Sequence, residues 1–427
     1  MVRFVDLFAG MGGMRLGLEQ ALDELGIPYK CVMTSEIKPH ALKVYKDNFG
    51  DTNIDGDITK ISEKDVPDCD IVIFGNPCQS FSSAGKRLGF EDSRGNLFFE
   101  VIRILKEKRP KYFLMENVEN LVTHNLSKAD KKSGKIIGET FETVLKTFED
   151  LGYKVNWRVL QASDYGTPQI RRRVYVVGSL DRKIDLSNFE FKSCSFSDIQ
   201  EHGLSCVNSV FSEKLLKYLK DNNLPIEFLY DKAIRDKRGS TNNIHSWTLA
   251  LRGEVSKKEQ DLLERMITER RRIDLAKKKG IKSNDGVGLT IDEIKGISDI
   301  SNIESSVEKL VNLGYLKEKV IPNFKEKVYD ISGGRLSFEF AKILDPNKPS
   351  LTLVATEVSR LGVIDGDGIR KLTIKECLRL NGFPDDYIMN VDYKKAVDLL
   401  GNTVVVPVIK MLCKRIFENE VKEYESL

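Results

Sequence analysis

The chain has 427 residues, 41% of them hydrophobic and 31% charged, and its formal net charge is only +3. This length predicts two domains or one domain enlarged by insertions, and the composition excludes intrinsic disorder, collagen and a disulfide scaffold. No apolar run reaches about 18 residues, and Asp6 interrupts the apolar N-terminus, so neither a membrane span nor a cleaved leader is expected. The sequence therefore favours a cytoplasmic protein.

Cysteine usage and charge restrict the ligands that the chain can bind. Because the net charge is small, a polyanionic partner has to be met by local basic patches. The cysteines form no CxxC pair, which argues against a zinc site and a disulfide framework and predicts that most are buried as small hydrophobic residues. They stand at positions 31, 69, 78, 194, 206, 377 and 413.

The first 180 residues alternate short apolar runs with amphipathic stretches such as Leu16–Leu25 and Lys38–Phe49. This alternation predicts an α/β fold with a doubly wound parallel sheet, whose ligands lie beyond the carboxyl ends of the strands. The predicted strands are Phe4–Phe8, Cys31–Ser35, Ile71–Phe74, Tyr112–Met115, Val155–Leu160 and Val174–Gly178.

From about residue 181 to 345 the alternation is lost, and a charged helix is predicted near Ser256–Lys279. Further on, Leu351–Ala355 is a predicted strand, Thr373–Asn381 is a helix ended by Gly382 and Pro384, and Val404–Met411 begins a terminal helix. We expect one domain of residues 1–180 plus 395–427 and a smaller second domain of residues 181–394.

A glycine-rich turn follows the first predicted strand. Phe4–Gly13 runs from apolar residues into glycines where a helix begins, so the backbone can approach a ligand closely at the positive end of that helix. The glycines at 10, 12, 13 and 17 do not match the G-x-G-x-x-G pattern of dinucleotide enzymes. A structural turn without a ligand stays open on this motif alone.

Two acidic residues follow at the ends of successive elements, Glu36 and Asp57. A carboxylate at the end of the second strand can accept hydrogen bonds from both hydroxyls of a ribose. Two neighbouring carboxylates would repel a negatively charged pyrophosphate. The pair therefore fits the adenosine of S-adenosylmethionine better than NAD. Two solvated surface acids remain the alternative.

A thiol, a carboxylate and a guanidinium cluster are predicted to share one cleft. Cys78 follows a buried strand directly after Pro77, which stiffens the turn, and Glu116 ends another strand. Arg171 and Arg173 precede a third strand. Taken singly, such a cysteine is usually buried and inert and an arginine run is usually solvated, so the joint pattern carries the prediction.

At these residues the chain resembles a DNA (cytosine-5) methyltransferase of the bacterial restriction-modification type. The resemblance covers about residues 1–180 and 350–415, in the family's order, and the middle third carries no comparable signature. The matching blocks are Asp6–Gly13, Gly75–Gln79, Met115–Val118, Gln169–Arg173, Arg379–Pro384 and Gly401–Val406.

The resemblance implies covalent catalysis on cytosine and a Rossmann-like methyltransferase fold. Carbon 5 of cytosine is a poor nucleophile, and a thiolate that adds to carbon 6 activates it. Cys78 would be this nucleophile, and Glu116 would hold the ring's N3 and exocyclic amine. Arg171 and Arg173 would stabilise the base and the surroundings of the cysteine, since a nearby guanidinium lowers the pKa of a thiol.

The resemblance also implies S-adenosylmethionine as the cofactor, with no metal and no nicotinamide. Phe8 would pack on the adenine, Gly10 and the backbone after it would line the methionine moiety, and Glu36 would bind the ribose. Where many relatives have a tryptophan after the ribose acid, this chain has Ile37. The full set of implied cofactor residues is Phe8, Gly10, Met11, Gly12, Gly13, Glu36, Ile37, Asp57, Ile58, Pro77, Leu97, Asn402 and Val404.

In the family the loop that matches Ser80–Asn96 closes over double-stranded DNA, and a base must leave the duplex before a side chain can reach carbon 6. A solvated surface loop is the alternative for this segment. The stretch Glu264–Lys282 is a second predicted phosphate-binding surface, with a solvated basic helix as its alternative. The predicted DNA contacts are Ser82, Lys86, Arg87, Arg94, Arg270, Arg271, Arg272, Lys277, Lys278 and Thr352.

The second domain occupies the family's target-recognition position, which reads base edges in the major groove. Residues 286–330 resemble a winged helix-turn-helix, in which Thr290 would cap the first helix and Ser301 would open the second. Asp299, Glu304 and Glu308 are unfavourable beside phosphates, so a packing role and a base-reading role both stay open.

The sequence thus predicts a sequence-specific DNA cytosine methyltransferase that protects host DNA from a separately acting cognate endonuclease. We expect a monomer in the cytoplasm, associated with the nucleoid through DNA and not with a membrane. A tRNA cytosine methyltransferase is one alternative, which the large middle domain disfavours. A catalytically silent DNA-binding regulator is the other, and the presence of Cys78, Glu116 and both arginines speaks against it.

Overall fold

The structure is a computed structural model that describes residues 1–50, 54–76, 97–126, 134–230, 232–236, 242–281, 286–322, 324–332 and 338–425. The chain divides into two compact units. Unit 1 comprises Met1–Gln200, Pro346–Val358 and Thr373–Leu427, and unit 2 comprises Glu201–Asp345 and Ser359–Leu372.

Strands and helices are numbered separately in chain order. The strands are β1 (Val2–Leu7), β2 (Tyr29–Ser35), β3 (Ile54–Asp55), β4 (Ile71–Phe74), β5 (Tyr112–Val118), β6 (Lys154–Gln161), β7 (Gln169–Ile170), β8 (Arg172–Ser179), β9 (Ala233–Ile234), β10 (Asn243–Ile244), β11 (Leu316–Val320), β12 (Lys327–Ile331), β13 (Lys342–Ile343), β14 (Ser350–Leu351), β15 (Leu361–Asp365) and β16 (Gly368–Lys371). The helices are α1 (Gly13–Glu24), α2 (Pro39–Phe49), α3 (Leu97–Lys108), α4 (Glu139–Asp150), α5 (Val210–Asp221), α6 (Lys257–Glu269), α7 (Ile273–Lys278), α8 (Ile291–Lys295), α9 (Ile303–Asn312), α10 (Ile374–Leu380), α11 (Tyr393–Asn402) and α12 (Val406–Glu425).

Unit 1 is built on a twisted sheet with the strand order β3-β2-β1-β4-β5-β8-β6. Strands β3, β2, β1, β4 and β5 pair in parallel, so their carboxyl ends meet at one edge. The strand order reverses between β1 and β4, which is the switch point at which open α/β sheets bind ligands. The fold therefore brings the turns after β1, β2, β4 and β5 together.

The sheet is mixed, whereas the sequence predicted a parallel one. β8 runs antiparallel to both β5 and β6. Only ten residues, 162–171, separate β6 from β8, and a parallel crossover needs a dozen or more. The six strands predicted in the first 180 residues are present, with bounds that differ by no more than three residues at either end, whereas the predicted strand Leu351–Ala355 is reduced to β14, Ser350–Leu351.

Two hydrophobic layers enclose the sheet. One joins β1, β4 and β5 to α1 and α12, and the other lies between the sheet and helices α3 and α4. The stretch Tyr393–Glu418 is long and apolar enough to cross a membrane, but 72% of its most apolar window is buried inside the protein, as expected of core helices. Its hydrophobicity is therefore explained by packing.

Residues from both ends of the predicted second domain belong to unit 1. β14 pairs in parallel with β7, and the Gln169 side chain donates to the Leu380 carbonyl at 2.7 Å. Arg415 of α12 donates to the backbone of Asp185 and Ser187. These contacts hold residues 181–200, 346–358 and 373–394 in unit 1, and the unit boundaries differ accordingly from the predicted ones.

Unit 2 contains a sheet of order β10-β9-β13-β15-β16 and a separate antiparallel hairpin, β11–β12. The predicted helix Ser256–Lys279 is two helices, α6 and α7, because the chain turns at Arg270–Arg272. Thr290 caps α8 as predicted, with its side chain accepting from the Glu293 N–H. The cap of α9 is Asn302 rather than Ser301, because the Asn302 side-chain oxygen accepts from the Ser305 N–H.

Close packing of α1 on α12 requires a glycine at position 17. A Cβ atom added to Gly17 would lie 2.6 Å from Ile409 Cβ and 3.0 Å from the Val406 carbonyl oxygen. We expect Gly17→Ala to lower the free energy of unfolding by about 1–3 kcal/mol, although alanine favours helix, because the two helices must move apart. Urea denaturation measures this change.

Gly56→Ala is the matched control, since an added Cβ there meets nothing within 4 Å and the residue has no positive φ. A Gly17→Ala variant as stable as the Gly56→Ala variant would contradict the packing account.

Candidate active site

A cavity of about 300 Å³ lies in unit 1 at the carboxyl ends of the parallel strands. Its walls come from the turns after β1, β2 and β4 and from residues 399–404 near the C-terminus. The predicted site residues that line it are Phe8, Gly10, Met11, Gly13, Glu36, Ile37, Asp57, Ile58, Leu97, Glu116, Arg171, Arg173, Asn402 and Val404.

Several predicted residues fall outside the described part of the chain. They are Pro77, Cys78, Ser82, Lys86, Arg87 and Arg94. The last described residue before them, Asn76, lines the cavity together with Gly75.

The turn after β1 forms the floor of the cavity. Phe8, Gly10 and Gly12 all have positive φ, and no side chain caps the N-terminus of α1. A Cβ added to Gly10 would meet no atom within 4 Å, so the backbone here is open to a ligand. Gly12 has a packing role, because an added Cβ would lie 2.3 Å from the Phe49 ring.

Glu36 is held in place by main-chain donors. Its Oε2 accepts from the Gly10 N–H at 2.8 Å, and its Oε1 accepts from the N–H groups of Ile37 and Lys38, each at 2.8 Å. A carboxylate offers about four acceptor positions, so about one stays available on Oε2. The Glu36 carboxylate thereby joins the turns after β1 and β2, and it can still accept a hydrogen bond from a ligand hydroxyl.

Asp57 and Ile58 form the adjacent wall. Asp57 caps a single 3-10 turn, with its Oδ1 accepting from the Thr59 hydroxyl at 2.8 Å and the Thr59 N–H at 3.1 Å. These two hydrogen bonds hold the pKa of Asp57 below its ordinary value. Ile58 is buried beside it. An anionic acceptor and an apolar side chain are thus adjacent.

Glu116 and Arg173 form an ion pair on the cavity wall, with 3.1 Å between Glu116 Oε1 and Arg173 Nε. Antiparallel pairing of β5 with β8 sets Val118 opposite Arg173, which brings the two side chains together. A Cβ added to Gly75 would lie 3.3 Å from Glu116 Oε2, so this second oxygen lies against the start of the segment that carries Cys78.

Sequence reasoning assigned no site role to Asn76 or Asn117. Both are buried, and the Asn117 amide donates to the Asn76 carbonyl at 3.4 Å and to its side-chain oxygen at 3.3 Å. This contact ties the strand end that carries Glu116 to the residue two positions before Cys78. Both residues stand in blocks that match the family, Gly75–Gln79 and Met115–Val118, but the sequence does not reveal the contact between them.

Arg171 was predicted to stabilise the base, and the structure places it in a further set of contacts. It is buried, with 4% exposure, and donates to the carbonyls of Thr403 at 2.6 Å, Leu353 at 3.1 Å and Gly401 at 3.4 Å. It therefore fastens residues 401–403 to the edge of the sheet while lining the cavity.

The predicted DNA contacts in unit 2 separate into buried and exposed residues. Arg270 is buried and donates to both oxygens of Asp330, at 2.7 and 3.2 Å, so it is an internal ion pair and not a phosphate contact. Arg271, Arg272, Lys277 and Lys278 are exposed. In unit 1, the Thr352 hydroxyl donates to the Ile170 carbonyl.

Comparison with known proteins agrees with this arrangement. The family model for C-5 cytosine-specific DNA methylase matches residues 2–418. The Type II methyltransferase M.NlaIV of Neisseria lactamica is 47% identical over 97% of this chain and 98% of its own length, and M.BanI of Aneurinibacillus aneurinilyticus is 37% identical over 99% and 97%. The Entamoeba histolytica methyltransferase EhMeth shares the fold, with a TM-score of 0.52 at 17% identity over 98% of this chain and 99% of its own.

The chain therefore belongs to the C-5 cytosine-specific DNA methylase family. It is an S-adenosylmethionine-dependent DNA (cytosine-5) methyltransferase of the Type II restriction-modification class. The predicted family, the α/β Rossmann-like fold and the enzymatic function are confirmed. Neither alternative, the tRNA methyltransferase or the silent regulator, is supported.

The cavity fits the cofactor of this family. Its volume lies at the lower end of the range for small-molecule sites. The open backbone at Gly10 and the available oxygen of Glu36 suit a ligand that carries ribose hydroxyls. Apolar Phe8 and Ile58 line the same cavity and can face an aromatic base.

A buried carboxyl group lies beneath this turn. Asp6 is fully buried, close to the charge of Arg15 and the hydroxyl of Tyr45. Burial raises the pKa of Asp6 to about 8, which outweighs the opposite effect of Arg15. Between pH about 4 and about 8 the folded protein therefore holds a proton that the unfolded chain has lost.

We expect the free energy of unfolding to fall as pH rises from about 4 to about 8, by at most about 1.4 kcal/mol per pH unit from this group. Asp6→Asn removes the titration and should remove this part of the slope. Urea unfolding at pH 5 and pH 8 measures it, with the exposed helical Asp47→Asn as control. Equal pH dependence in the wild type and Asp6→Asn would show that Asp6 is ionised in the fold.

Proposed function

We propose that the unit 1 cavity binds S-adenosylmethionine and that the target cytosine enters beside it, against Glu116 and Arg173. One observation carries this assignment: the Glu116–Arg173 ion pair lines the same cavity as Glu36 and the open turn at Gly10. A proton-handling carboxylate and a ribose-binding carboxylate thus share one space. Methyl transfer requires S-adenosylmethionine and cytosine to bind next to each other, and this cavity can hold both.

In this proposal Glu36 accepts a hydrogen bond from a ribose hydroxyl. Phe8 and Ile58 pack on the adenine, and Asp57 lies at its edge. The backbone from Gly10 to Gly13 lines the methionine moiety, and Asn402 and Val404 close the opposite wall. Leu97 and Ile37 complete the apolar lining, and Pro77 is assigned by its sequence position. S-adenosylmethionine supplies an electrophilic methyl group bound to a sulfonium sulfur.

Cys78 is the proposed nucleophile. Its thiolate adds to carbon 6 of cytosine, and the electron pair displaced towards N3 is met by a proton from Glu116. Carbon 5 would then take the methyl group, with S-adenosylhomocysteine as the leaving group. The proton of carbon 5 would pass to solvent as the carbon–sulfur bond breaks to release the thiolate, and N3 would return its proton to Glu116. The Arg173 ion pair fixes one oxygen of Glu116 and leaves the other for the base.

Arg171 supports the reaction mainly by holding the wall in place. Three carbonyl oxygens already accept from its guanidinium, so we assign it a positioning role in addition to the predicted role near the base. Asn117 has a comparable role toward the residue that precedes Pro77.

The target cytosine leaves the duplex before reaction, because its carbon 6 is inaccessible within the base stack. The segment with Ser82, Lys86, Arg87 and Arg94 is the proposed DNA-closing loop on sequence grounds. Unit 2 is the proposed target-recognition domain, with Arg271, Arg272, Lys277 and Lys278 near phosphates and the winged-helix-like segment 286–330 as an additional contact. Thr352 remains a proposed DNA contact.

In the cell the enzyme would methylate host DNA and so protect it from a cognate endonuclease that acts separately. The Type II methyltransferase relatives support this role. We further propose that it works as a monomer, in the cytoplasm and on the nucleoid, without a metal.

Tritiated S-adenosylmethionine and duplex DNA test the reaction directly. We expect the wild type to label DNA and not tRNA, and Cys78→Ser to lower the rate by roughly a thousandfold or more, because the hydroxyl is a far weaker nucleophile. Glu116→Gln should also lower the rate strongly, while Glu119→Gln, at the residue that directly follows β5, serves as its control. Label in tRNA alone would refute the proposal.

A duplex with 5-fluorocytosine at the target position checks the covalent step. Fluorine cannot leave as a proton does, so a stable adduct with wild type is expected and none with Cys78→Ser. Methylation of ordinary DNA without any adduct on the fluorinated duplex would exclude the thiolate route.

A further inference from the structure

Two parts of the cavity lining come from distant segments of the chain. One consists of Ile37, Lys38 and Ala41, at the start of α2, and the other of residues 399–404, at the end of α11. No covalent segment joins them locally, so their separation depends on side-chain contacts. Asp398, one turn before the end of α11, makes such contacts with both parts.

Asp398 binds three side chains. Its Oδ2 accepts from Lys38 Nζ and from His40 Nε2, both at 3.2 Å, and its Oδ1 accepts from Asn402 Nδ2 at 3.1 Å. Since a carboxylate only accepts, His40 must donate from Nε2. Lys38 and Asn402 both line the cavity and come from distant parts of the chain, so this single carboxylate links two parts of the cavity lining.

The Asp398 side chain is suited to this link because it is charged. Partial burial raises its pKa, but the hydrogen bond from His40 and the positive charge of Lys38 outweigh burial and hold the pKa below the ordinary value. Asn402 is held by a second bond as well, from its amide to the Asp398 carbonyl at 2.8 Å. The cavity face of Asn402 is therefore fixed before any ligand binds.

Other contacts hold α2 to the C-terminal region farther from the cavity. Lys43 Nζ donates to the Asn390 carbonyl at 2.5 Å, and the Asn48 side chain bonds both to the carbonyl and to the N–H of Ile388, each at 2.9 Å. Without Asp398 these contacts would still hold α2 against Ile388 and Asn390. The change would then be confined to the positions of Lys38 and Asn402 at the cavity.

We propose that Asp398 is a positioning residue that sets the affinity for the cofactor by holding Lys38 and Asn402 at the separation the ligand needs. This inference rests on the proposed assignment of the cavity to S-adenosylmethionine. Prepositioned walls lower the conformational cost of binding and leave the methyl-transfer step unchanged. Asp398 therefore governs binding of the cofactor and not the chemistry on cytosine.

Isothermal titration with S-adenosylhomocysteine, the reaction product, measures this affinity without catalysis. We expect Asp398→Ala to raise the dissociation constant roughly tenfold, since hydrogen bonds to a charged group are lost. The KM for S-adenosylmethionine should rise in parallel, while kcat and the KM for DNA stay within about twofold. Asp47→Ala, at an acid on α2 whose ion pair within the described part of the chain is with Lys43 of the same helix, is the matched control and should bind as the wild type does.

His40 provides a double-mutant cycle, because it contacts Asp398 and does not line the cavity. We expect His40→Ala to weaken binding about two- to threefold alone and to have no further effect in the Asp398→Ala background. Additive effects of the two substitutions would overturn the link through Asp398.

Asp398→Asn covers the case in which Asp398→Ala does not fold. It keeps an acceptor for Asn402 but loses the charge that binds Lys38, and its dissociation constant should be intermediate. If the wild type binds no S-adenosylhomocysteine, the assignment of the cavity is wrong. If the wild type binds it and the folded Asp398 variants bind equally well, the inference about Asp398 alone is overturned.

Discussion

The buried guanidinium of Arg171 is the contact on which the site depends. It donates to the main-chain carbonyls of Leu353, Gly401 and Thr403, which lie 182, 230 and 232 residues further along the chain, and so holds these segments next to the start of β8. A buried charge must be met by such acceptors, because leaving it unpaired is costly. Residues 401–404 line the cavity because this part of the chain returns to the edge of the sheet next to Arg171.

The carboxylates of the site are all held in place by hydrogen bonds or ion pairs within the protein. The three backbone donors of Glu36, the Thr59 donors of Asp57 and the Arg173 partner of Glu116 hold these carboxylates before a ligand arrives. Groups that are already oriented need little reorganisation during binding or reaction. Such an arrangement suits an enzyme that must bring two substrates together in one orientation.

The sequence predicted the parallel core and the convergence of its turns, because alternating apolar runs report strands and parallel strands share one edge. It did not predict the antiparallel β8, which follows from a short connection. Arg270 looked like part of a basic surface, yet its guanidinium turns inward to Asp330, 60 residues later. The contacts of Asn117 with Asn76, of Asp398 with Lys38 and His40, and of Arg171 with three carbonyls were missed for the same reason, since these partners lie far along the chain and leave no local pattern.

A crystal structure of the protein with S-adenosylhomocysteine tests the central claim most directly. The account predicts density for the ligand in the unit 1 cavity, with a ribose hydroxyl within hydrogen-bonding distance of Glu36 Oε2 and the adenine beside Phe8 and Ile58. Density for the ligand at any other place, or a bound ribose without contact to Glu36, would contradict it.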